Sequence, residues 1–301
     1  MAATGAYQCA AIGQSPMPLR IATWNVNSVR LRVDLIGAFL DTHAPDILCL
    51  QEIKCPADAF PAAAFRKRGF NHIAINGRKG YHGVAIVSKI PFLRTAARDF
   101  CGLSDGRHIS VALADGGGEV LLHNFYVPAG GDEPDPVVNP KFAHKLAFLD
   151  EMHRWLNGST LSRSAVLVGD LNVAPLEHDV WSHRQLLGVV SHTPVETGSL
   201  DRLRAAGSWI DAMRHFVPAD RKLYTWWSYR ARDWAASDRG RRLDHIWVAP
   251  ALAPRLRNVE VVREARGWKQ PSDHVPVIVS LAPVSHRPGP AETGPGSMQV
   301  R

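Results

Sequence analysis

Five places in this chain set an acid or an amide directly against an apolar run: Trp24-Asn25-Val26-Asn27, Leu50-Gln51-Glu52, Val168-Gly169-Asp170-Leu171-Asn172, Arg242-Leu243-Asp244-His245 and Ser272-Asp273-His274. A carboxylate so close to buried residues is costly unless it is paired, hydrogen-bonded or bound to a cation. Asp and Asn favour turns and caps, which accounts for any one of the five alone. Five together point to a shared site. Hard oxygen ligands without cysteine describe Mg2+ or Mn2+ better than zinc.

Around these positions short strands alternate with helical patterns. Strands are expected at Leu19 to Trp24, Ile47 to Leu50, Asn71 to Ile75, Val84 to Ser88, Arg107 to Leu113, Val120 to Tyr126, a run ending at Asp170, Leu223 to Tyr229, Leu243 to Val248, Val259 to Val262 and Val275 to Leu281. Ser28 is positioned as an N-cap for a helix in which Val29, Val33, Ile36, Phe39 and Leu40 share a face, and Pro45 closes it. A second helix is expected from Pro140 to Leu156, and helical pieces between 176 and 216. No linker separates these elements, so one domain over residues 18–284 is expected, α/β or α+β, its sheets covered by helices. Residues 1–17 read as a flexible extension and the Pro- and Gly-rich 285–301 as a disordered tail.

The 301 residues are 46% hydrophobic and 21% charged, which argues against wholesale disorder. No uncharged apolar run reaches 18 residues, and no Lys or Arg precedes the first apolar stretch, so neither a membrane span nor a signal peptide is expected. Cys9, Cys49, Cys55 and Cys101 form no CxxC pair and are too sparse for a disulfide framework, which suits a reducing cytoplasm.

The formal charge of +7 gains meaning from its distribution. Residues 214 to 244 hold eight Lys or Arg against four Asp, a local +4, together with six of the chain's 24 aromatics. Cations interleaved with rings suit a nucleic-acid groove, where the former follow phosphates and the latter stack on bases or fill the gap left by a missing one. A charged loop over a buried aromatic cluster has the same composition. Arg78, Lys79 and His82 form a second basic loop able to touch a phosphate backbone, and Lys54, two residues past Glu52, is placed to pair with a phosphate or a carboxylate.

The segments IATWNVNSVR, LCLQEIKC, GYHGVAIVSK, NFYVPAGG, VGDLNVAP, YTWWSYR, RRLDHIWV and PSDHVPVIVSL, taken in order from Leu19 to Leu281, resemble the exonuclease III-like apurinic/apyrimidinic endonucleases of the endonuclease/exonuclease/phosphatase superfamily. The resemblance implies an α+β fold, a four-layer α/β/β/α sandwich of two mixed sheets packed face to face. It also implies a Mg2+-dependent nuclease, with Mn2+ as a substitute, that acts as a monomer on duplex DNA containing abasic sites or blocked 3′ ends. By motif, Glu52 would be the principal metal ligand, with Asn25, Asp273, Asp170, Asn172 and His274 in the metal set. Asp170 would activate water, Asn172 would position the phosphate, His274 would face it, Asp244 would fix the His274 tautomer, and Tyr126 would contact the phosphate or assist the leaving group. Trp226, then Trp227, would wall the abasic sugar pocket, and Lys54, Arg78, Arg241 and Arg242 would contact DNA. Some relatives carry an aromatic where this chain has Arg241. The acidic GGDEPDP loop beyond Tyr126 receives no role.

Asn, Glu, Asp-x-Asn and Asp-His are common to the superfamily, so a phosphoesterase for inositol phosphates or sphingomyelin is the alternative. LQEIKC and YTWW favour DNA. A binding module without catalysis is disfavoured because every expected acid is present.

Overall fold

The computed structural model describes residues 17–116, 118–158 and 164–284. The extension expected over 1–17, except the exposed Met17, and the tail from 285 lie outside the described residues, as does Cys9. Twelve strands form two sheets of six. In the first, the spatial order is β13 (Leu256–Val261), β14 (Val277–Leu281), β1 (Leu19–Asn25), β2 (Ile47–Gln51), β4 (Val84–Ser88) and β3 (His72–Asn76). In the second it is β5 (Phe92–Ala97), β6 (His108–Asp115), β7 (Gly118–Tyr126), β8 (Ala165–Asp170), β12 (Asp244–Val248) and β9 (Ile210–Asp211). A small ribbon pairs β10 (Trp226–Trp227) with β11 (Gly240–Arg241). Both sheets are mixed, because β1 runs parallel to β2 and β7 parallel to β8 while their other neighbours are antiparallel.

The period of two along each strand divides its side chains between two cores. Ile21, Ile47, Cys49 and Ile86 of the first sheet meet Val111, Leu122, Val166, Val168 and Ile246 of the second in the central layer. The alternate residues Ala22, Trp24, Leu48 and Leu50 face outward onto Ile36, Phe39 and Leu40 of helix α1 (Val33–His43) and Phe65 of α2 (Ala62–Arg66). On the far side Phe125, Leu167 and Trp247 pack against Phe148, Leu149 and Met152 of α3 (Pro140–Gly158). Short α4 (His183–Leu186) is followed by α5 (Pro194–Ala206), whose Leu200 and Leu203 join that layer. The result is the expected sandwich, helices outside and two sheets within. Central strands are buried on both faces, which is why they read as unbroken apolar runs.

Three expectations shift. Helix α1 starts at Val33 rather than after Ser28, because the amides of Ser28 and Val29 are taken by the carbonyls of Glu52 and Ile53, so this segment follows the exit of β2 before the helix begins. Of Leu223 to Tyr229 only Trp226–Trp227 is strand. The edge strand β5 was not expected, since its largely exposed FLRTAA shows no apolar alternation.

His123 on β7 and His245 on β12 are buried in these layers. His123 lies against His108 (Nε2 of His108 to Nδ1 of His123, 3.1 Å), Phe125 and Trp155, while His245 donates from Nε2 to the Val173 carbonyl (2.8 Å) and accepts from Arg242 at Nδ1 (3.2 Å). Burial pushes both imidazoles down to about 4, and at His245 Arg242 adds to the effect while Asp211, the Val173 carbonyl and Asp179 oppose it. The unfolded chain, with histidines near 6.5, then binds the extra protons. The contribution of these two imidazoles is therefore complete above about pH 6.5 and is lost as the pH drops towards 4, by roughly 3 kcal/mol per histidine. Denaturant unfolding across that window should show the decline, and His123→Gln should make it shallower.

Candidate active site

Strand direction brings the acid-bearing ends together. Parallel β1 and β2 leave the sheet side by side, with Asn25 opposite Gln51 and Glu52 next in line. Parallel β7 and β8 end with Tyr126 opposite Asp170. Antiparallel β12 starts where β8 stops, so Asp244 faces Asp170, and β14, antiparallel to β1, returns Ser272, Asp273 and His274 to the same end. Residues more than 200 positions apart thus meet at one rim.

Asp170, 1% exposed, is the centre of the arrangement. Its Oδ2 accepts from Asn25 Nδ2 (2.9 Å) and lies 3.6 Å from His274 Nε2, while Oδ1 accepts the Asn172 amide (2.9 Å). His274 Nδ1 is 2.8 Å from Asp244 Oδ2. Asn25 Nδ2 also donates to Glu52 Oε1 (2.9 Å), which accepts the Tyr126 hydroxyl at 2.9 Å. Burial pushes the Asp170 carboxyl up, with Asp244 and Glu52 adding to it and His274 and Asn25 opposing, to about 7. Burial pushes the His274 imidazole down, but Asp244 and Asp170 on either side outweigh it and raise it to about 10, so the ring is a cation at neutral pH. Glu52 lies below its ordinary value, because Lys54, Asn25 and His274 overcome the effect of burial. Burial, then Glu52 and Asp170, hold Tyr126 well above the usual phenol range, so it remains a hydroxyl donor.

Local backbone fixes these groups. Glu52 and Asn172 sit in the left-handed region at φ 50° and 53°, where the chain turns sharply off a strand. Gly169 has φ 139°, and a Cβ there would fall 2.0 Å from the Phe125 carbonyl oxygen, so β7 and β8 approach as they do only with glycine before Asp170. Beneath them Lys145 of α3, fully buried, donates to the carbonyls of Asn172 (2.7 Å) and Ala129 (3.3 Å) and pairs with Glu196 of α5. Glu196 accepts the Ser191 and Thr193 amides (2.9 and 3.2 Å). One buried ion pair therefore ties the loop after β8 to the loop after β7 and to the turn before α5.

The rim opens into a cleft of about 690 Å³. Glu52, Tyr126, Asp170, Asn172, Asp273 and His274 line its floor; Trp226, Trp181, Arg230, Arg239 and Arg241 line its wall. Trp226 Nε1 donates to Asp273 Oδ2 (3.0 Å), joining wall to floor. Some expected residues are placed otherwise. Trp227 is 1% exposed, packed on Tyr224 and Trp234 with Nε1 on Asp238, and is core rather than pocket wall. Arg242 is fully buried by a two-pronged pair with Asp179 and a contact to Asp211, so it cannot reach DNA. Lys54 pairs with Glu52 at 2.9 Å. Arg78 is exposed and does not line the cleft. The amides of Asn25 and Asn172 donate to the carboxylates, Asn172 Nδ2 reaching Val127 O (2.9 Å) and Asp170 Oδ2 (3.2 Å), which makes both residues orienters of Asp170. Trp181, Lys145 and Glu196 were not singled out by sequence; nothing local distinguishes a buried lysine from a surface one in an amphipathic helix.

The donor set fits a hard divalent cation. Asp170 and the adjacent Asp244 offer carboxylate oxygens, Glu52 and Asp273 add carboxylates at the cleft floor, and Asp244 Oδ1 is buried without a hydrogen-bond partner; His274, protonated on both nitrogens between Asp244 and Asp170, has no lone pair to give and stands outside the expected metal set. No thiol joins them.

A sequence profile described as the endonuclease/exonuclease/phosphatase family matches residues 22–274. Exodeoxyribonuclease III of Haemophilus influenzae is 28% identical over 269 residues, covering 86% of this chain and 98% of that protein. Among solved structures, the 3′ phosphatase NExo from Neisseria, bound to product DNA hairpin, superposes with a TM-score of 0.80 at 31% identity, over 87% of this chain and 99% of the other. An AP endonuclease from Archaeoglobus fulgidus gives the same four values.

If the buried pair holds the loops, Lys145→Met strands the Glu196 charge and should cost about 3–5 kcal/mol in denaturant unfolding. The double variant Lys145→Met/Glu196→Gln should recover part of that loss; a single variant within about 1 kcal/mol of the parent would show that the loops are held by other contacts.

Proposed function

The chain belongs to the endonuclease/exonuclease/phosphatase family, and from that premise we propose that it is a DNA repair nuclease that hydrolyses the phosphodiester 5′ to an abasic site in duplex DNA, leaving a 3′-hydroxyl and a 5′-deoxyribose phosphate. Exonuclease and 3′-phosphatase or phosphodiesterase action on blocked 3′ ends would use the same site, and relatives carry both names. The observation that carries the reading is one cleft whose floor holds Asp170, His274, Glu52 and Asp273, with Asp244 buried behind His274, and whose wall is tryptophan and arginine. The relatives are an exodeoxyribonuclease, an AP endonuclease and a 3′ phosphatase bound to DNA, which favours DNA over inositol phosphates or sphingomyelin.

The chemistry follows from the residues in place. Asp170, with a proton affinity near neutrality, is suited to take the proton of an attacking water, and Asn25 and Asn172 hold its oxygens in register for that task. Asp244 accepts from His274 Nδ1 and so leaves Nε2–H of a charged ring for the phosphoryl oxygens, where negative charge grows in the transition state. Tyr126 supplies a hydroxyl beside Glu52. Glu52 and Asp273, with Asp170 beside them, would hold Mg2+, or Mn2+ in its place, which when bound supplies positive charge to the phosphate. Trp226 would wall the abasic sugar, while the basic residues around the cleft would follow the backbone. The free thiols Cys49, Cys55 and Cys101 suit the cytoplasm, and a monomer is sufficient because every group of the site comes from one chain. No helix among the described residues is long and apolar enough to cross a membrane.

A labelled duplex with one tetrahydrofuran abasic analogue should be incised with Mg2+ and not with EDTA; no incision sinks the proposal. Asp170→Asn should lower the rate by at least about 100-fold with DNA binding largely retained. Affinity should fall with salt at a slope of about −0.9 per phosphate neutralised.

A further inference from the structure

The arginines of this chain divide into two kinds. Arg242, Arg214, Arg263, Arg107 and Arg255 each hold a carboxylate within 4 Å. Arg230, Arg239 and Arg241 hold none among the described residues, and all three line the active cleft. Arg241 is the most committed of them. Its Nη1 is fixed by the Val190 carbonyl (3.0 Å) and Ser191 Oγ (2.8 Å), both neutral; its guanidinium carbon lies 5.3 Å from the centre of the Trp226 ring; and its Nε is buried with no partner. Arg239 lies 4.7 Å over Trp181 on the same wall. A half-buried guanidinium held in place by neutral groups, with donors left over and no carboxylate within 4 Å, the nearest acting charge being Glu196 that is already paired with Lys145, is a preorganised anion receptor.

We propose that Arg241 makes this wall an anion subsite, and that the enzyme prefers substrates bearing a negatively charged group just beyond the residue that stacks on Trp226. This rests on the nuclease reading, which puts the abasic sugar against Trp226 and the scissile phosphate over His274. The wall and floor are adjoining, since Trp226 bonds Asp273 and forms a bridge with His274. In that pose the sugar's 3′ substituent would point towards the arginines. In an internal abasic site that substituent is the following phosphodiester; at a damaged 3′ end it is a terminal phosphate, or the carboxylate of a sugar fragment. An apolar side chain at 241 would pack the sugar but give the anion nothing to bind.

The test uses matched duplexes that end in a tetrahydrofuran residue carrying either a free 3′-hydroxyl or a 3′-phosphate. A third duplex, ending in 3′-phosphoglycolate, is compared with one ending in plain 3′-phosphate to ask whether a carboxylate is read as well. For the Mg2+-loaded full-length chain, kcat/KM should favour the phosphorylated tetrahydrofuran by about tenfold, the value of one good charge-assisted hydrogen bond. Arg241→Gln should bring the ratio close to 1, and Arg241→Lys should retain part of it; because the readout is a ratio, a general loss of rate cancels. A wild-type ratio near 1 overturns the subsite whatever the variants do, as does a ratio unchanged in Arg241→Gln. Failure of the wild-type enzyme to cut an internal abasic duplex, measured first, would instead count against the nuclease reading.

Discussion

The structure depends on one buried carboxylate. Asp170 ends a central strand of the second sheet, and its oxygens are shared with Asn25 of the first sheet and with Asn172 and His274 beside it. Left alone in the interior, such a group would take up a proton or draw in water. Here its neighbours are arranged so that the proton is nearly balanced at neutral pH, with a cationic imidazole on one side and amide donors on the other. The contacts that make Asp170 tolerable also join the two sheets at this end, reinforced by Gln51, whose Nε2 bonds Asn124 Oδ1 of the second sheet (2.7 Å) and Thr23 Oγ1 (2.9 Å). Site and sandwich are therefore not separable: loosening the sheets would leave Asp170 without its partners.

Charge is sorted by what lies next to it. Lys145–Glu196 and Arg242–Asp179 are internal pairs behind the cleft, their side chains fully buried. The cleft itself keeps its charges apart, acids and one imidazole on the floor and uncompensated arginines on the wall. A polyanion would find the wall attractive and the floor repulsive, unless a cation sits at the floor. Those two halves fit the two parts of one phosphodiester substrate.

Much of this was legible in the sequence where the physics is local. Asn25, Glu52, Asp170, Asp244 and Asp273 stood out because each interrupts an apolar run, and the structure gathers them in one place; strand direction, which decides whether ends converge, was not visible. Strands buried on both faces were read well, while edge strand β5, whose side chains face water, carried no apolar signal. The start of α1 was misplaced because Ser28 looks like a cap only if its neighbours' amides are free, and the exit of β2 takes them. Trp227 resembles Trp226 in composition, yet lies on the core side of a two-residue strand, where its partners Tyr224 and Trp234 await it.

The adjacent pair Arg241 and Arg242 shows where sequence reasoning stops. Successive residues of an extended segment point to opposite sides, so one of the two had to face the cleft and the other the interior. Which one is decided by carboxylates elsewhere in the chain. Asp179 and Asp211 lie on the interior side and bind Arg242 from two directions, a geometry that a planar guanidinium can satisfy and a lysine could not. With that side closed, strand alternation turns Arg241 to the other, where Val190, Ser191 and the Trp226 ring meet it. The positive charge of this segment therefore overstates what DNA would encounter, since Arg214 and Arg242 are consumed by Asp179. What remains is fewer charges in better defined places, and a charge whose place is fixed can discriminate between substrates as well as attract them.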